Sequence, residues 1–295
     1  MKKWIEILNE VKEDKSHGAL WLALRSIDAF TCLAESLWGL RELERELNLL
    51  TEGFRSVRPS MASIRNATRL ASEIVKHYVH ESRPLNDVIE ALLKLKDYIE
   101  KSKIEVAVKA SQELSSLRVF LTHSLSSTVM ELFRNLSGEK LVIVTESRPL
   151  REGVVMARRI ASMGHRVKLI ADASAYQASK IFGVEAFVFG VDTALKDGHV
   201  VNKVGTAQIA IALSDLGVKS IALCESIKVD EEAKAESLAL EVKEPKELLE
   251  EVCEIEAFNL YFDVTPPKAL YAIIMEDGVH KPPFNLRPFT GFVPP

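Results

Sequence analysis

From residue 119 onward the chain repeats one rhythm: an apolar run too short for a helix, a polar cluster, then a helical pattern. The runs cover residues 119–121, 141–144, 167–170, 186–189 and 220–223. Helical patterns follow at 126–135, up to 163, at 173–180 and through 213. Such alternation predicts βαβ units and a mostly parallel sheet. The expectation is an α/β chain whose residues 117–295 form a Rossmann-like, doubly wound domain. Residues 271–275 read as a last strand. The acidic, lysine-rich segment 229–251 reads as a solvated excursion. The proline-rich end after Lys281 reads as a tail or an arm over a neighbour.

Residues 1–116 carry no strand signal of that strength and read as an N-terminal helical domain. Ile5, Leu8 and Val11 make a short stripe. Leu20, Leu24, Ile27, Phe30, Leu33, Leu37 and Leu40 then recur every three or four positions, which marks a long helix with one buried face. Gly53 and Pro59 are expected to interrupt the pattern. Met61, Ile64, Ala67, Ala71 and Val75 predict another helix. Pro84 opens one with Val88, Ile89, Leu92, Leu95 and Tyr98, and a separate helix is expected over 104–114.

In an open α/β sheet, ligands sit beyond the carboxyl ends of the strands. Those ends carry Thr122-His123-Ser124, Thr145-Glu146-Ser147-Arg148, Asp172, Gly190-Val191-Asp192 and Glu225-Ser226. Asp192 is the candidate for acid/base work or for holding a sugar hydroxyl, with a turn cap as the plain alternative. Asn202-Lys203-Val204-Gly205-Thr206 opens a helix, where free N–H groups and a lysine suit an anion. Arg148 before Pro149 either forks onto a phosphate or pairs with Glu146 or Glu152. His123 reads as a hydrogen-bonded structural histidine, and Cys224 as core. Together these point to a pocket for a phosphorylated sugar or polyol.

Composition narrows the class. A net charge of −4 gives no basic surplus for wrapping nucleic acid, so no direct nucleic-acid role is expected. No apolar run reaches the length of a membrane span, so no membrane role is expected either. Cys32, Cys224 and Cys253 are far apart and read as free thiols in a reducing compartment, which makes the expected location cytoplasmic. No cluster has metal-ligand spacing, so neither a metal nor another cofactor is expected.

The motifs Val144-Thr145-Glu146-Ser147-Arg148-Pro149, Gly190-Val191-Asp192, Gly198-His199-Val200-Val201-Asn202-Lys203-Val204-Gly205-Thr206 and Ala257-Phe258-Asn259-Leu260-Tyr261-Phe262-Asp263-Val264-Thr265-Pro266-Pro267 resemble one family. It includes the regulatory alpha, beta and delta subunits of translation initiation factor 2B. Its enzymes are methylthioribose-1-phosphate isomerase and ribose-1,5-bisphosphate isomerase. Ser16-His17-Gly18-Ala19 sits where those enzymes have an Arg-Gly-Ala turn for the phosphosugar, and Val57-Arg58-Pro59-Ser60 resembles their Arg-Pro-Thr turn.

The resemblance implies a ligand site of His17, Gly18, Ala19, Arg58, Ser124, Arg148, Asn202, Lys203, Gly205 and Thr206, with Asp192 as the acid/base. The ligand would be a phosphorylated sugar or a nucleoside monophosphate. It also implies a homodimer or higher even-numbered assembly, and docking on initiation factor 2 subunits. Asp263 would bind or brace at the cleft, or belong to a plain proline turn. One departure bears on catalysis. Where the isomerases have Thr-His-Cys, this chain has Thr122-His123-Ser124. A thiol exchanges a proton near neutrality, whereas a serine hydroxyl needs a base. Recognition without turnover is therefore expected, with a phosphopentose aldose–ketose isomerase as the alternative.

Overall fold

A computed structural model describes residues 2–14, 17–238, 240–249 and 255–289. Its helices α1 (Lys3–Glu13), α2 (Ala19–Leu37), α3 (Leu43–Val57), α4 (Ala62–His80) and α5 (Leu85–Leu114) precede every strand. The predicted stripes face inward: Val11, Ile27, Phe30, Leu33, Ile64, Ala71 and Val75 are fully buried in one helical core. Leu40 lies beyond the end of α2 and is exposed.

Two expected breaks are corrected. Gly53 lies inside α3, where a Cβ would stand 3.0 Å from a Leu8 methyl; the residue admits α1 rather than ending a helix. Pro59 does end the pattern, because proline disfavours helical geometry in the residue before it, and Arg58 has φ −140°. The two helices expected across 84–114 are one helix of 30 residues. No glycine or proline interrupts it. Its stripe passes through the buried Ser102, whose hydroxyl donates to the Ile99 carbonyl, so the apolar period lapses while the helix continues. Val88, Leu92, Leu95 and Ile99 belong to the helical core, and Val106, Ala110 and Leu114 to the sheet core.

The second half runs β1 (Val119–Thr122), α6 (Ser127–Asn135), β2 (Leu141–Thr145), α7 (Glu152–Ser162), β3 (Arg166–Ile170), α8 (Ala175–Phe182), β4 (Ala186–Gly190), β5 (Thr193–Leu195), β6 (Val200–Lys203), α9 (Thr206–Ser214) and β7 (Lys219–Leu223). It continues with β8 (Val229–Asp230), β9 (Val242–Lys243), β10 (Asn259–Leu260), β11 (Phe262–Thr265), β12 (Ala272–Met275) and β13 (Gly278–His280). The main sheet has the order β13-β12-β7-β4-β1-β2-β3, parallel except for β13. Adjacent side chains take opposite faces: Phe120, Val142, Val188 and Ile221 pack under α5, α6 and α7, while Leu121, Ile143, Phe187 and Ala222 pack under α8 and α9. This is the doubly wound α/β arrangement expected.

A smaller sheet, β11-β6-β5-β8, is added at the edge of the cleft. Its hairpin docks the helical half: Thr193 Oγ1 accepts from the Ala62 N–H at 2.7 Å and donates to the Ser60 carbonyl at 2.9 Å. Asn66 donates to the Ile227 and Val229 carbonyls, and Arg65 pairs with Asp230.

Two further readings change. The excursion is not simply solvated, because Val229 and Glu241 are buried and β9 pairs with β10. The end after Lys281 folds onto its own chain. Phe284 and Leu286 join the core, and Phe289 stacks on Tyr98 at 3.9 Å; residues 290–295 lie outside the described part. Cys32 and Cys224 are buried free thiols, and burial raises both pKa values. Cys253 lies outside the described residues. Among the described residues no helix is long and apolar enough to cross a membrane.

Candidate functional site

The strand order reverses its winding between β1 and β4, the point at which such sheets open a ligand crevice. The loop after β1 carries His123 and Ser124, and the loop after β4 carries Asp192. Gly190 allows the two loops to approach, since a Cβ there would run into the Ser126 side chain. A cavity of about 600 Å³ begins at this point. It extends between the start of α2, the Arg58 turn, α7 and β6, and is lined by Lys228, Lys243 and Tyr261 as well.

Asp192 lines the cavity, and among the described residues its carboxylate accepts no side-chain or backbone hydrogen bond. Burial pushes its pKa up to about 6. Lys228 and Lys203 pull it down, while Glu241 and Glu152 push it further up. It is thus an acid poised to change protonation near neutrality.

Ser124 has a left-handed backbone, φ 68°, held by its N–H donating to Ser147 Oγ at 2.8 Å. Its hydroxyl donates to Glu152 Oε1 at 3.3 Å. The same oxygen lies 2.9 Å from Lys203 Nζ, and Lys203 also sits 4.2 Å from the Tyr261 ring centroid. Glu152 opens α7; from the sequence it reads only as a partner for Arg148. Gly153 beside it is required for close approach, because a Cβ there would be driven into the Thr145 carbonyl oxygen.

His123 is structural, as read. The Val204 carbonyl can only accept, so Nε2 carries the proton and donates to it at 2.9 Å; Nδ1 then accepts from the Thr145 hydroxyl at 2.6 Å. Burial lowers its pKa and keeps it neutral.

Lys228, which carries no signal in the sequence, forms part of the cavity wall. Its ammonium lies 2.7 Å from Glu225 Oε2, and both residues are buried. Glu225 also accepts from the Thr128 hydroxyl. Buried carboxylates near the ammonium raise its pKa against the cost of desolvation.

The remaining predicted residues divide. His17, Gly18, Ala19, Arg58 and Asn202 line the cavity. His17 stacks on Trp21 at 3.7 Å and meets Asp14 at 2.8 Å, while Ser16 lies outside the described residues. The buried Arg58 guanidinium donates to the Val11 and Asp14 carbonyls and to Glu241, so it ties α1 to the excursion. Arg148 is not part of the cavity wall. Its guanidinium reaches the Leu248 carbonyl at 3.4 Å, and Glu146 pairs with Arg151 instead.

Gly205 and Thr206 also lie outside the wall, because the chain's own Asp263 fills the α9 N-terminus. Its carboxylate accepts from the Gly205 N–H at 2.7 Å and the Ala207 N–H at 3.1 Å. Asp263 is therefore a brace, and burial pushes its pKa up to about 6 against those two hydrogen bonds. Among the described residues no group of three or more His, Cys, Asp or Glu could hold a metal ion.

Comparison with known proteins gives the family of the chain. The model of the "Initiation factor 2 subunit family" matches residues 15–282. A putative translation initiation factor eIF-2B subunit 2-like protein of Pyrococcus horikoshii is 34% identical, over 96% of this chain and 98% of its own. A ribose 1,5-bisphosphate isomerase of Thermococcus kodakarensis is 28% identical, over 96% of this chain and 92% of its own. The crystal structure of the Pyrococcus horikoshii OT3 translation initiation factor eIF-2B superposes with a TM-score of 0.83 at 31% identity, covering 96% of this chain and 98% of that one. With β1 and β4 meeting at the cavity and the family's match spanning both halves, the chain belongs to the initiation factor 2 subunit family.

Proposed function

We propose that this chain is a binding and assembly protein of the regulatory initiation factor 2B kind, whose cavity holds a phosphorylated sugar or a nucleoside monophosphate without converting it. The observation that carries this reading is the pairing around Ser124. Aldose–ketose isomerisation needs a group that gives and takes a proton opposite the acid/base. The other candidate relay group, Ser124, lines the same cavity, and the one carboxylate its hydroxyl bonds, among the described residues, shares that oxygen with Lys203. Lys203, Lys228 and Asn202 supply the polar contacts for a phosphate or hydroxyl.

The second reading, a phosphopentose isomerase, draws on Asp192. A carboxyl group free of hydrogen bonds within the described chain, with a pKa near 6, is suited to proton transfer. The two readings separate in one experiment. Ribose 1,5-bisphosphate, 5-methylthioribose 1-phosphate and nucleoside monophosphates are tested for turnover and titrated by calorimetry. Binding without turnover is expected; turnover abolished by Asp192→Asn would make the chain an isomerase.

Binding should also depend on pH. Asp192 gains negative charge as pH rises through about 6, so affinity for an anion falls on the alkaline side. The fall should be roughly tenfold, a coupling of about one pKa unit. Asp192→Asn removes this part of the profile while leaving the ligand's own titration, so the difference between the two curves isolates it.

The reading includes a homo-oligomer of even number, docking on initiation factor 2 subunits and a cytoplasmic location. Light scattering should give at least a dimer, and co-purification with initiation factor 2 subunits checks the docking. A monomer at working concentration, or no such complex, counts against assembly.

A further inference from the structure

The carboxylate of Glu152 has two unlike oxygens. Oε1 takes both Ser124 Oγ at 3.3 Å and Lys203 Nζ at 2.9 Å. Oε2 is buried and has no hydrogen-bond partner among the described residues. A buried carboxylate oxygen left without a donor is costly, and it leaves the negative charge of Glu152 only partly compensated behind the cavity wall. The ammonium it neutralises is the one a phosphate would otherwise meet on β6.

The pairing recurs around the cavity. Lys228 is held by Glu225, and Arg58 and Lys243 by Glu241. Each of these cations already has a carboxylate, so an entering phosphate competes with the protein's own anions. Lys12 and Arg159, at the outer part of the wall, have no ion pair with a described carboxylate. These two are open to a phosphate without displacing a carboxylate, whereas a phosphate directed to Lys203 meets Glu152.

We propose that Glu152 sets the ligand class of this cavity: it selects a molecule with one phosphate over a bisphosphate. The inference rests on the cavity being the ligand site. Glu152 acts in two ways. It occupies Lys203, and its remaining negative charge repels a second phosphate. Ser124 keeps its hydrogen bond throughout, which fixes the carboxylate in place.

The test is calorimetry with ribose 5-phosphate and ribose 1,5-bisphosphate on the wild-type protein and on Glu152→Gln. The amide retains the size of the side chain and a carbonyl for Ser124, but it removes the charge facing the cavity. The wild type should prefer the monophosphate. In Glu152→Gln the bisphosphate should gain at least about tenfold in affinity, the order expected when a like charge is removed from a desolvated site, and the preference should invert or vanish.

Thermal denaturation with and without each ligand guards against misfolding: a folded variant gives a cooperative transition, and the bisphosphate should raise its midpoint more than the wild type's. If Glu152→Gln does not fold, Glu152→Asp serves as the second variant. Its shorter carboxylate draws back from Lys203, and the same shift toward the bisphosphate is expected, smaller in size. An unchanged preference in folded variants overturns the proposal. Bisphosphate binding that emerges only in the variant supports it, even if the wild type binds neither compound. If no variant binds either compound, this inference and the ligand-site reading both fall. If the wild type binds both equally and the variant does too, only this inference falls.

Discussion

Lys228→Met should lower the free energy of unfolding by about 3–5 kcal/mol, because it strips the ammonium from a carboxylate that has no access to water. Glu225 is fully buried, and its other strong partner, the Thr128 hydroxyl, does not neutralise it. The double variant Glu225→Gln/Lys228→Met should recover most of the loss, since the amide still accepts from Thr128 and no charge is left unpaired. Urea denaturation of the two proteins decides the matter. If the single and double variants are equally destabilised, the ion pair is not what Lys228 contributes.

Gly153→Ala should cost at least about 3 kcal/mol, at the upper end of the range for overpacking. The added methyl would collide with the Thr145 carbonyl, which belongs to the end of β2 and cannot rotate away as a side chain can. It would also press on Ser147 Oγ, 2.9 Å distant, the atom that holds the backbone of Ser124. The loss of stability should therefore come with altered ligand affinity, because Glu152 and Ser124 both move. Gly183→Ala, on the opposite face of the sheet, meets no atom within 4 Å; it brings left-handed strain without a collision and so serves as a control for destabilisation away from the cavity. It should cost about 1–2 kcal/mol and leave binding unchanged.

The strands were legible because each is a short apolar run flanked by polar residues, and runs such as 186–189 are buried on both faces. The helices were legible from their stripes, except where a stripe failed to report on the backbone. Ser102 broke the apolar period of α5 without breaking the helix, and Gly53 resembled a stop while serving as a seat for Leu8. The small hairpin strands β5 and β6 went unassigned because three or four residues carry too little pattern.

At the site, residues that follow a strand end could be read directly, as with Ser124 and Asp192. Partnerships could not. Glu152 with Lys203, Lys228 with Glu225, and Arg58 with Glu241 join residues whose meeting depends on how the elements pack. The α9 start shows the limit most clearly. Gly205 and Thr206 have the look of an anion seat, and only the register of β11 on β6 reveals that Asp263 already occupies it.

The length of α5 has a mechanical consequence. At about 1.5 Å per residue, its 30 residues make a rod of roughly 45 Å, clamped at one end among helices and at the other beneath the sheet. No glycine or proline offers this rod a hinge, so the helical half and the sheet are expected to keep their spacing when a ligand arrives. Adjustment to different ligands then falls to the shorter pieces that project inward, the α2 start and the stretch around Tyr261. A cut near residue 116 would detach the rod from one of its clamps and leave the apolar side chains of Val106, Ala110 and Leu114 facing water.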